Sequence, residues 1–316
     1  MLVIEAMHGH HDCMELQQMR YAVAVAEERS FTKAAERCFV VQSALSHQIK
    51  ALERELGVQL FARTSRRVEL TAAGEAFVAA ARDALQATER AMADAAAADG
   101  QVRGTLSIGV IPTITAVDVP RVLAGFHAAH PEVQVRLRGG GSEQFISDIR
   151  AGRLDVAFLG LAECTPPNGV SFRELSHEAL VAALPVNHCL ARRKRLKLAD
   201  LAGEAFVDFP SGSAGRAQGD LAFQAAGLHR EVAFEAMTTD LIVGLIRNEL
   251  AVGMLSADVV PHDSGVLVVP LVDGPRRIEY LAWNEFNPSP AARAFLDAVQ
   301  HDHADAATDS SDAPAL

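Results

Sequence analysis

Between Gln42 and Gly57 the sequence QSALSHQIKALERELG permits one economical way of hiding its apolar residues. At about 100° per residue, Leu45, Ile49, Leu52 and Leu56 fall within roughly 40° of one another, the stripe of a helix packed on one side. Gly57 is placed to end that helix. Ser43, His47, Lys50 and Arg54 lie opposite the stripe, with Gln42 and Ser46 at its N-terminal flank. A merely solvated face is usually filled with Glu, Lys and Gln; small hydrogen-bonding residues early in a helix suit a surface that something must approach closely.

Two helices are expected upstream. Leu16 to Glu28 carries Leu16, Met19, Val23 and Ala26 or Glu27 at helical spacing. RSFTKAAERC then restarts, with Ser30 or Thr32 as the cap and Ala34 and Ala35 allowing close helix approach. A three-residue turn, Phe39–Val41, leads into the striped helix, which makes a helix-turn-helix. In that motif the first residues of the second helix reach base edges in the major groove. Gln42, Ser43, Ser46 and His47 are therefore candidate base readers, with Thr32, Lys33, Lys50 and Arg54 beside them. QLFART and RRVELT can pair as a hairpin wing whose tip carries Arg63, Arg66 and Arg67 toward phosphates or a minor groove. The net charge of −11 argues against nucleic acid only if charge is averaged over the chain. Residues 14–71 hold nine basic and seven acidic side chains, a local excess of +2.

The run FTKAAERCFVVQSALSHQIKALERELGVQLFARTSRRVELTAAGEAF resembles the winged helix-turn-helix of LysR-type transcriptional regulators. The AA, QSALS, LE, LF-R and LT-AG signatures sit at that family's spacing, and a looser likeness continues to about Gln300. The resemblance implies that Gln42, Ser43, Ser46 and His47 touch DNA from a recognition helix, and Arg63 and Arg66 from a wing. Val41 departs from the pattern, which has a Ser or Thr cap there. Either Ser43 caps a later start or packing compensates for a loss of about 1 kcal/mol.

Residues 72–97 are Ala-rich and broken only by Gly74. Phe77, Ala81, Leu85, Thr88 and Met92 make a stripe that a lone helix has nothing to bury against, so it reads as a dimerising helix. In the resembled family this is the linker helix, paired antiparallel between subunits. ADGQVRG follows as a hinge.

From Thr105 strands alternate with helices, the pattern of a parallel α/β sheet. The expected fold is α/β: a helix-rich winged helix-turn-helix over 14–71, a linker helix and hinge over 72–103, and two Rossmann-like subdomains over 104–301. Their arrangement is periplasmic-binding-protein-like. Subdomain I is expected at 104–178 and 266–301, subdomain II at 179–265. Residues 1–13 are expected to be a disordered extension, or sequence upstream of a start at Met14, despite the metal-ligand chemistry of His8, His10, His11 and Cys13. The acidic, Ser- and Ala-rich tail over 302–316 is also expected to be disordered.

Ligands of open α/β sheets bind beyond the carboxyl ends of strands. Thr113, which follows the first strand and is expected to open the next helix, Gly141 and Ser142 in GGGSEQ, the loop Phe209, Pro210, Ser211, Gly212 and Ser213, and Thr238 and Thr239 before a later helix are the candidate effector contacts. Ser211, Gly212, Ser213 and the N–H groups of the helix that follows them would suit an anion. Facing one another across a cleft, these segments would hold a small polar or carboxylate molecule. The resemblance implies effector contact for Thr113 and the Phe209–Ser211 loop. Glu249 stands where the family has a glycine and, if it faced the cleft, would repel an anion.

Other functions find less support. No HExxH, P-loop or GxSxG motif is present, and no GxGxxG follows a strand, so neither catalysis nor a cofactor is expected. A solute-binding protein would leave the winged helix unexplained, and the first residues are too short and His-rich for a signal peptide. A redox response through Cys164 and Cys189 is a further alternative, but four cysteines without a CxxC pattern suit inert thiols in a reducing cytoplasm. The expected partners are an inverted-repeat DNA duplex, a small effector, the chain itself as a homodimer or tetramer, and RNA polymerase if it activates. No membrane is expected.

Overall fold

The computed structural model describes residues 14–63, 68–98, 101–285 and 288–309. The extension 1–13, the wing-tip residues Arg66 and Arg67, and residues 310–316 lie outside the described residues. The chain divides into two compact units, residues 1–92 and 93–316.

The first unit opens with α1 (Leu16–Glu28), α2 (Phe31–Arg37) and α3 (Gln42–Leu56). A short antiparallel pair follows, β1 (Phe61–Arg63) and β2 (Val68–Leu70), with Arg63 opposite Val68. The long helix α4 runs Ala72–Ala98. The face of α1 differs from its expected stripe: Gln18, Tyr21, Ala22, Ala24 and Val25 are buried, while Leu16 is 41 % exposed. The alanines win because α2 and α3 approach closely there, which a longer side chain would prevent. Ser30, not Thr32, caps α2, its Oγ accepting from Lys33 N at 3.4 Å. The later start capped by Ser43 does not occur; α3 begins at Gln42 with Val41 as an N-cap that makes no side-chain bond. Leu45, Ile49 and Leu52 are buried, Leu56 is exposed in the last turn, and Gly57 ends the helix at φ 69°.

Two contacts fix the wing to the helices before it, one to α3 and one to α2. The Glu53 carboxylate accepts from Leu60 N at 2.9 Å and Phe61 N at 3.1 Å, and Phe31 meets Phe61 edge-on at 5.9 Å. Thr71 Oγ1 donates to Gln59 O at 2.6 Å and accepts from Gly74 N at 3.0 Å, capping α4. A Cβ at Gly74 would overlap the carbonyl oxygen of Leu60, so α4 can lie on that backbone only through a glycine. Phe77 packs on the winged-helix core and Ala81 is buried within the single chain.

The second unit contains β3 (Gly104–Val110), α5 (Val119–Ala129), β4 (Val133–Gly139), α6 (Ser142–Arg150), β5 (Val156–Ala162) and β6 (Ser171–Ala179). It continues through β7 (Val181–Pro185), α7 (Leu198–Leu201), β8 (Ala205–Asp208), α8 (Ala214–Ala225), β9 (Glu231–Glu235), α9 (Thr239–Arg247) and β10 (Gly253–Leu255). It closes with β11 (Val266–Pro270), β12 (Arg276–Trp283) and α10 (Pro290–Asp309). The first sheet has the order β4-β3-β5-β12-β6. It is mixed rather than all parallel, because β12 runs antiparallel to β5 and β6. The second subdomain has the order β10-β7-β11 beside the parallel pair β8-β9, linked by Val207 N to Val252 O at 2.9 Å and Val252 N to Ala205 O at 2.8 Å. Each subdomain thus repeats one plan: three parallel strands with helical crossovers, then two antiparallel strands.

The return to subdomain I comes later than expected. β11, anticipated there from residue 266, pairs along β7 from Val266↔Pro185 to Pro270↔Val181. The chain crosses back between Leu271 and Pro275, where Leu180 N donates to Pro275 O at 3.0 Å and joins the two crossing segments. An antiparallel partner completes the second sheet, and the unbroken apolar run VLVVP cannot say which sheet that is. The strand β6 gives little sequence signal because SFRELSHEA is mostly polar and its apolar residues, Phe172, Leu175 and Ala179, do not alternate, as an edge strand allows. The tail is also not disordered throughout: α10 continues to Asp309, where alanine favours helix.

One buried cluster ties β12 to the loop after β3. The Arg277 guanidinium donates to Thr113 Oγ1 at 2.8 Å, Thr113 O at 2.7 Å, Glu279 Oε1 at 2.6 Å and Glu178 Oε2 at 3.1 Å. Glu279, fully buried, also accepts from Ala116 N at 2.8 Å. Burial pushes Glu279 above the usual carboxylate range, more than Arg277 and the Ala116 and Thr115 N–H groups offset, and the Glu178 charge adds to the rise. Burial acts upward on Glu178 too, but Arg277 and hydrogen bonds from Ser256, Thr115 and Ser176 hold it below that range.

Gly74→Ala is expected to cost about 2–3 kcal/mol through overpacking at Leu60, read as a fall in Tm; an unchanged Tm would mean that α4 can shift freely. Arg277→Ala is expected to cost about 3–5 kcal/mol near pH 7. It strands two carboxylates whose folded-state pKa values then rise. A raised value favours the fold at low pH and loses that stability as pH climbs through it. The Tm gap from wild type should therefore be wider at pH 8 than at pH 5.5, and an equal gap would contradict the account.

Candidate DNA interface and ligand cavity

The polar side of α3 stands free. Gln42, Ser43, His47, Lys50 and Arg54 are exposed and Ser46 is half-buried. Gln42 Nε2 donates to Ser46 Oγ at 2.9 Å. That bond steadies the Gln42 amide and leaves it one acceptor and one donor, the pair that adenine presents a partner for in the major groove. Because no side chain caps α3, its first N–H groups are open to a phosphate, whose charge the helix dipole favours. Thr32 and Lys33 are exposed on α2 beside it. A residue pair unnoticed in sequence supports this helix from behind: buried Gln18 of α1 donates to Gln48 Oε1 at 3.2 Å. Two glutamines at separate helix faces give no sequence signal of pairing.

The stripe on α4 divides. Phe77 and Ala81 serve the interior of the single chain, whereas Leu85 and Thr88 are half-buried and Met92 is 60 % exposed. Arg82 reaches Glu27 of α1 at 3.1 Å, so the helix is bound to its own unit at that turn.

Within the second unit lies a cavity of about 460 Å³. Of the expected contacts it brings together Thr113, Gly141, Ser142, Phe209, Pro210, Ser213 and Thr238. Ser211, Gly212 and Thr239 do not line it. Ser211 N is turned to Glu235 Oε1 at 3.3 Å, Gly212 forms the turn at φ 81°, and Thr239 is already inside α9 behind its cap Thr238. Thr113 does not open a helix as expected; Asp118 caps α5, and Thr113 belongs to the loop held by Arg277. Gly139, Gly160, Gln218 and Met237 also line the cavity and were missed, since apolar and glycine positions carry no chemical motif.

The polar groups of this cavity are mostly engaged. Ser142 Oγ donates to Gly160 O at 3.2 Å and accepts from Gly160 N at 3.0 Å, while Ser213 Oγ donates to Pro210 O at 2.7 Å. The start of α8, anticipated as an anion site, receives a carboxylate from the chain itself: Ala214 N donates to Glu143 Oε2 at 3.1 Å. No ionisable side chain lines the cavity among the described residues. Glu249 does not face it. At φ 62° it accepts from Asn187 Nδ2 at 2.9 Å and lines a separate pocket of about 410 Å³ with His188, Cys189 and Glu204. Cys164 after β5 and Cys189 after β7 are both exposed and free, and neither lines the larger cavity.

Among the described residues no helix is long and apolar enough to cross a membrane. Residues 16–75 match the bacterial regulatory helix-turn-helix proteins of the lysR family, and residues 99–304 match the LysR substrate binding domain. The chain is 33 % identical to a hydrogen peroxide-inducible genes activator of Pectobacterium carotovorum subsp. carotovorum, over 84 % of this chain and 83 % of that one. It is 32 % identical to the Hca operon transcriptional activator HcaR of Escherichia coli K12, over 91 % and 97 %. Among solved structures, a full-length single-residue variant of OxyR from Pseudomonas aeruginosa superposes with a TM-score of 0.70 at 26 % identity, covering 91 % of this chain and 95 % of that one. Full-length CbnR complexed with its target DNA superposes with a TM-score of 0.64 at 27 % identity, covering 92 % and 100 %. With a recognition helix free on one face and a cavity shared by two α/β subdomains, the chain belongs to the LysR family of DNA-binding transcriptional regulators.

Proposed function

We propose that this regulator reads an inverted-repeat duplex as a homodimer within a tetramer, and that a small effector in the 460 Å³ cavity alters its DNA binding or output. The observation that carries the reading is the free face of α3, with the Gln42 amide steadied by Ser46. Gln42, Ser43, Ser46 and His47 meet base edges. Thr32, Lys33, Lys50, Arg54, Arg63, Arg66 and Arg67 meet the backbone and minor groove. Leu85, Thr88 and Met92 remain to pair subunits. The relative bound to its target DNA supports this arrangement. Relatives that are activators support a further contact with RNA polymerase, and a place in the cytoplasm on the nucleoid. The protein performs no catalysis and needs no cofactor or metal.

The cavity wall narrows the effector class. Ile111, Phe209 and Met237 offer an apolar body site, and the starts of α6, α8 and α9 converge with their N–H ends on it. A molecule with an apolar body and one polar or carboxylate head fits that division; a polyhydroxylated or cationic one does not. An anionic head competes with Glu143 at Ala214.

Anisotropy titrations on the duplex upstream of the protein's own gene, with random competitor at fixed salt, test the DNA reading. Gln42→Ala and Ser46→Ala are each expected to lose about 1–3 kcal/mol on the specific duplex alone; equal losses on random DNA would contradict base reading. Gly139→Leu projects into open space at the cavity wall. It should leave DNA affinity intact and abolish the response to whichever small acid shifts wild-type binding. A retained response would place the effector elsewhere.

A further inference from the structure

Phe39, in the turn between α2 and α3, is 95 % exposed. Its backbone is pinned: Phe39 N donates to Glu36 O at 3.1 Å and Val40 N to Ala35 O at 3.0 Å. This geometry holds Phe39 at φ 56°, in the left-handed region that costs any residue with a Cβ and suits Gly or Asn better. Val40 beside it turns inward onto the core, while Val41, the N-cap of α3, is 68 % exposed. The turn therefore presents an aromatic ring and a branched aliphatic side chain directly ahead of Gln42 and Ser43.

Among the described residues nothing offsets this choice. The ring gains no burial, and the backbone conformation favours other residue types. An interaction outside the chain would. Phe39 stands three positions ahead of Gln42, on the turn that leads into α3, so a duplex met by the first residues of α3 passes close to that turn. In the major groove the apolar group on offer is the thymine C5-methyl, and Phe is among the side chains that pack on it. We propose that Phe39 is a specificity-determining contact, packing on a thymine methyl at the edge of each half-site next to the bases met by Gln42 and Ser43. The proposal rests on the DNA-binding reading above and adds an apolar element to a face otherwise made of hydrogen-bonding groups.

The test uses the full-length protein and a labelled duplex selected by the wild type from a random-sequence pool. Phe39→Asn keeps a side chain that tolerates the left-handed turn and removes the ring, and Phe39→Leu keeps apolar bulk. The asparagine variant is expected to melt no lower than wild type. It should bind the selected duplex about tenfold more weakly, or about 1.4 kcal/mol, with affinity for random duplex unchanged. The leucine variant should recover part of the loss. Replacing thymines one at a time by deoxyuridine should reproduce the loss at one position per half-site for wild type and not for Phe39→Asn. Wild-type affinity in the asparagine variant, or insensitivity to every deoxyuridine, overturns the proposal. A changed oligomer mass with unchanged DNA affinity overturns it too and assigns the ring to a second copy. If the wild type selects no duplex, the DNA-binding reading itself fails with it.

Discussion

The Arg277 guanidinium is the point at which the effector-binding unit is held together. It lies just past the second crossing between subdomains, so β12, the edge strand β6 and the loop from Thr113 to Ala116 share one buried cation. Two carboxylates against one guanidinium leave the cluster with an excess of negative charge, which burial resolves by raising Glu279 and leaving Glu178 ionised against Arg277. Such a network is stable only while each member is satisfied. Its consequence for the cavity is direct. Thr113 is fixed by both its side chain and its carbonyl, so the wall of the cavity in subdomain I is set by the same group that sits beside the crossing strands.

Asp208 and Arg230 play the corresponding part under the other wall. Arg230 reaches Asp208 Oδ2 at 2.7 Å while packed against the rings of Phe206 and Phe223. Asp208 Oδ1 accepts from Phe209 N at 2.7 Å, which anchors the first residue of the cavity loop in subdomain II. Burial raises Asp208 despite Arg230. Each wall therefore rests on a buried ion pair reaching the residues just after a central strand. A ligand touching Thr113 and Phe209 together meets two walls, each held by a buried ion pair, and only a differential affinity for two states of the protein could turn that contact into an allosteric effect.

How legible this was in the sequence depended on whether a residue's role was local. The recognition helix was readable because its stripe, its terminating Gly57 and its small polar face all lie within sixteen residues. Gly74 was visible as a break in an alanine-rich run, but its reason, the Leu60 carbonyl beneath it, requires the folded wing. The boundary at 266 failed because a short apolar run marks a strand without naming its partner, and β11 pairs with β7 across about eighty residues. The anion site expected at the start of α8 was half legible. Its N–H groups are there, but Glu143, seventy-one positions earlier, already supplies a carboxylate. Arg277 and Glu279 read as ordinary edge charges in RRIEYLAW, and only the folded sheet shows them buried.

The first unit shows the opposite economy. Its interior uses few polar contacts, Gln18 to Gln48 and Glu53 to the start of β1, and each steadies α3 from the side away from solvent. On the outer side, side chains are exposed, the helix start is uncapped and one turn residue is held in the left-handed region. A chain optimised only for its own stability would place a capping serine at Val41 and a glycine or asparagine at Phe39. Both positions instead carry apolar residues that water does not favour. Local sequence rules fail together at these two positions, in the turn immediately ahead of the candidate base readers, and no contact among the described residues compensates for them.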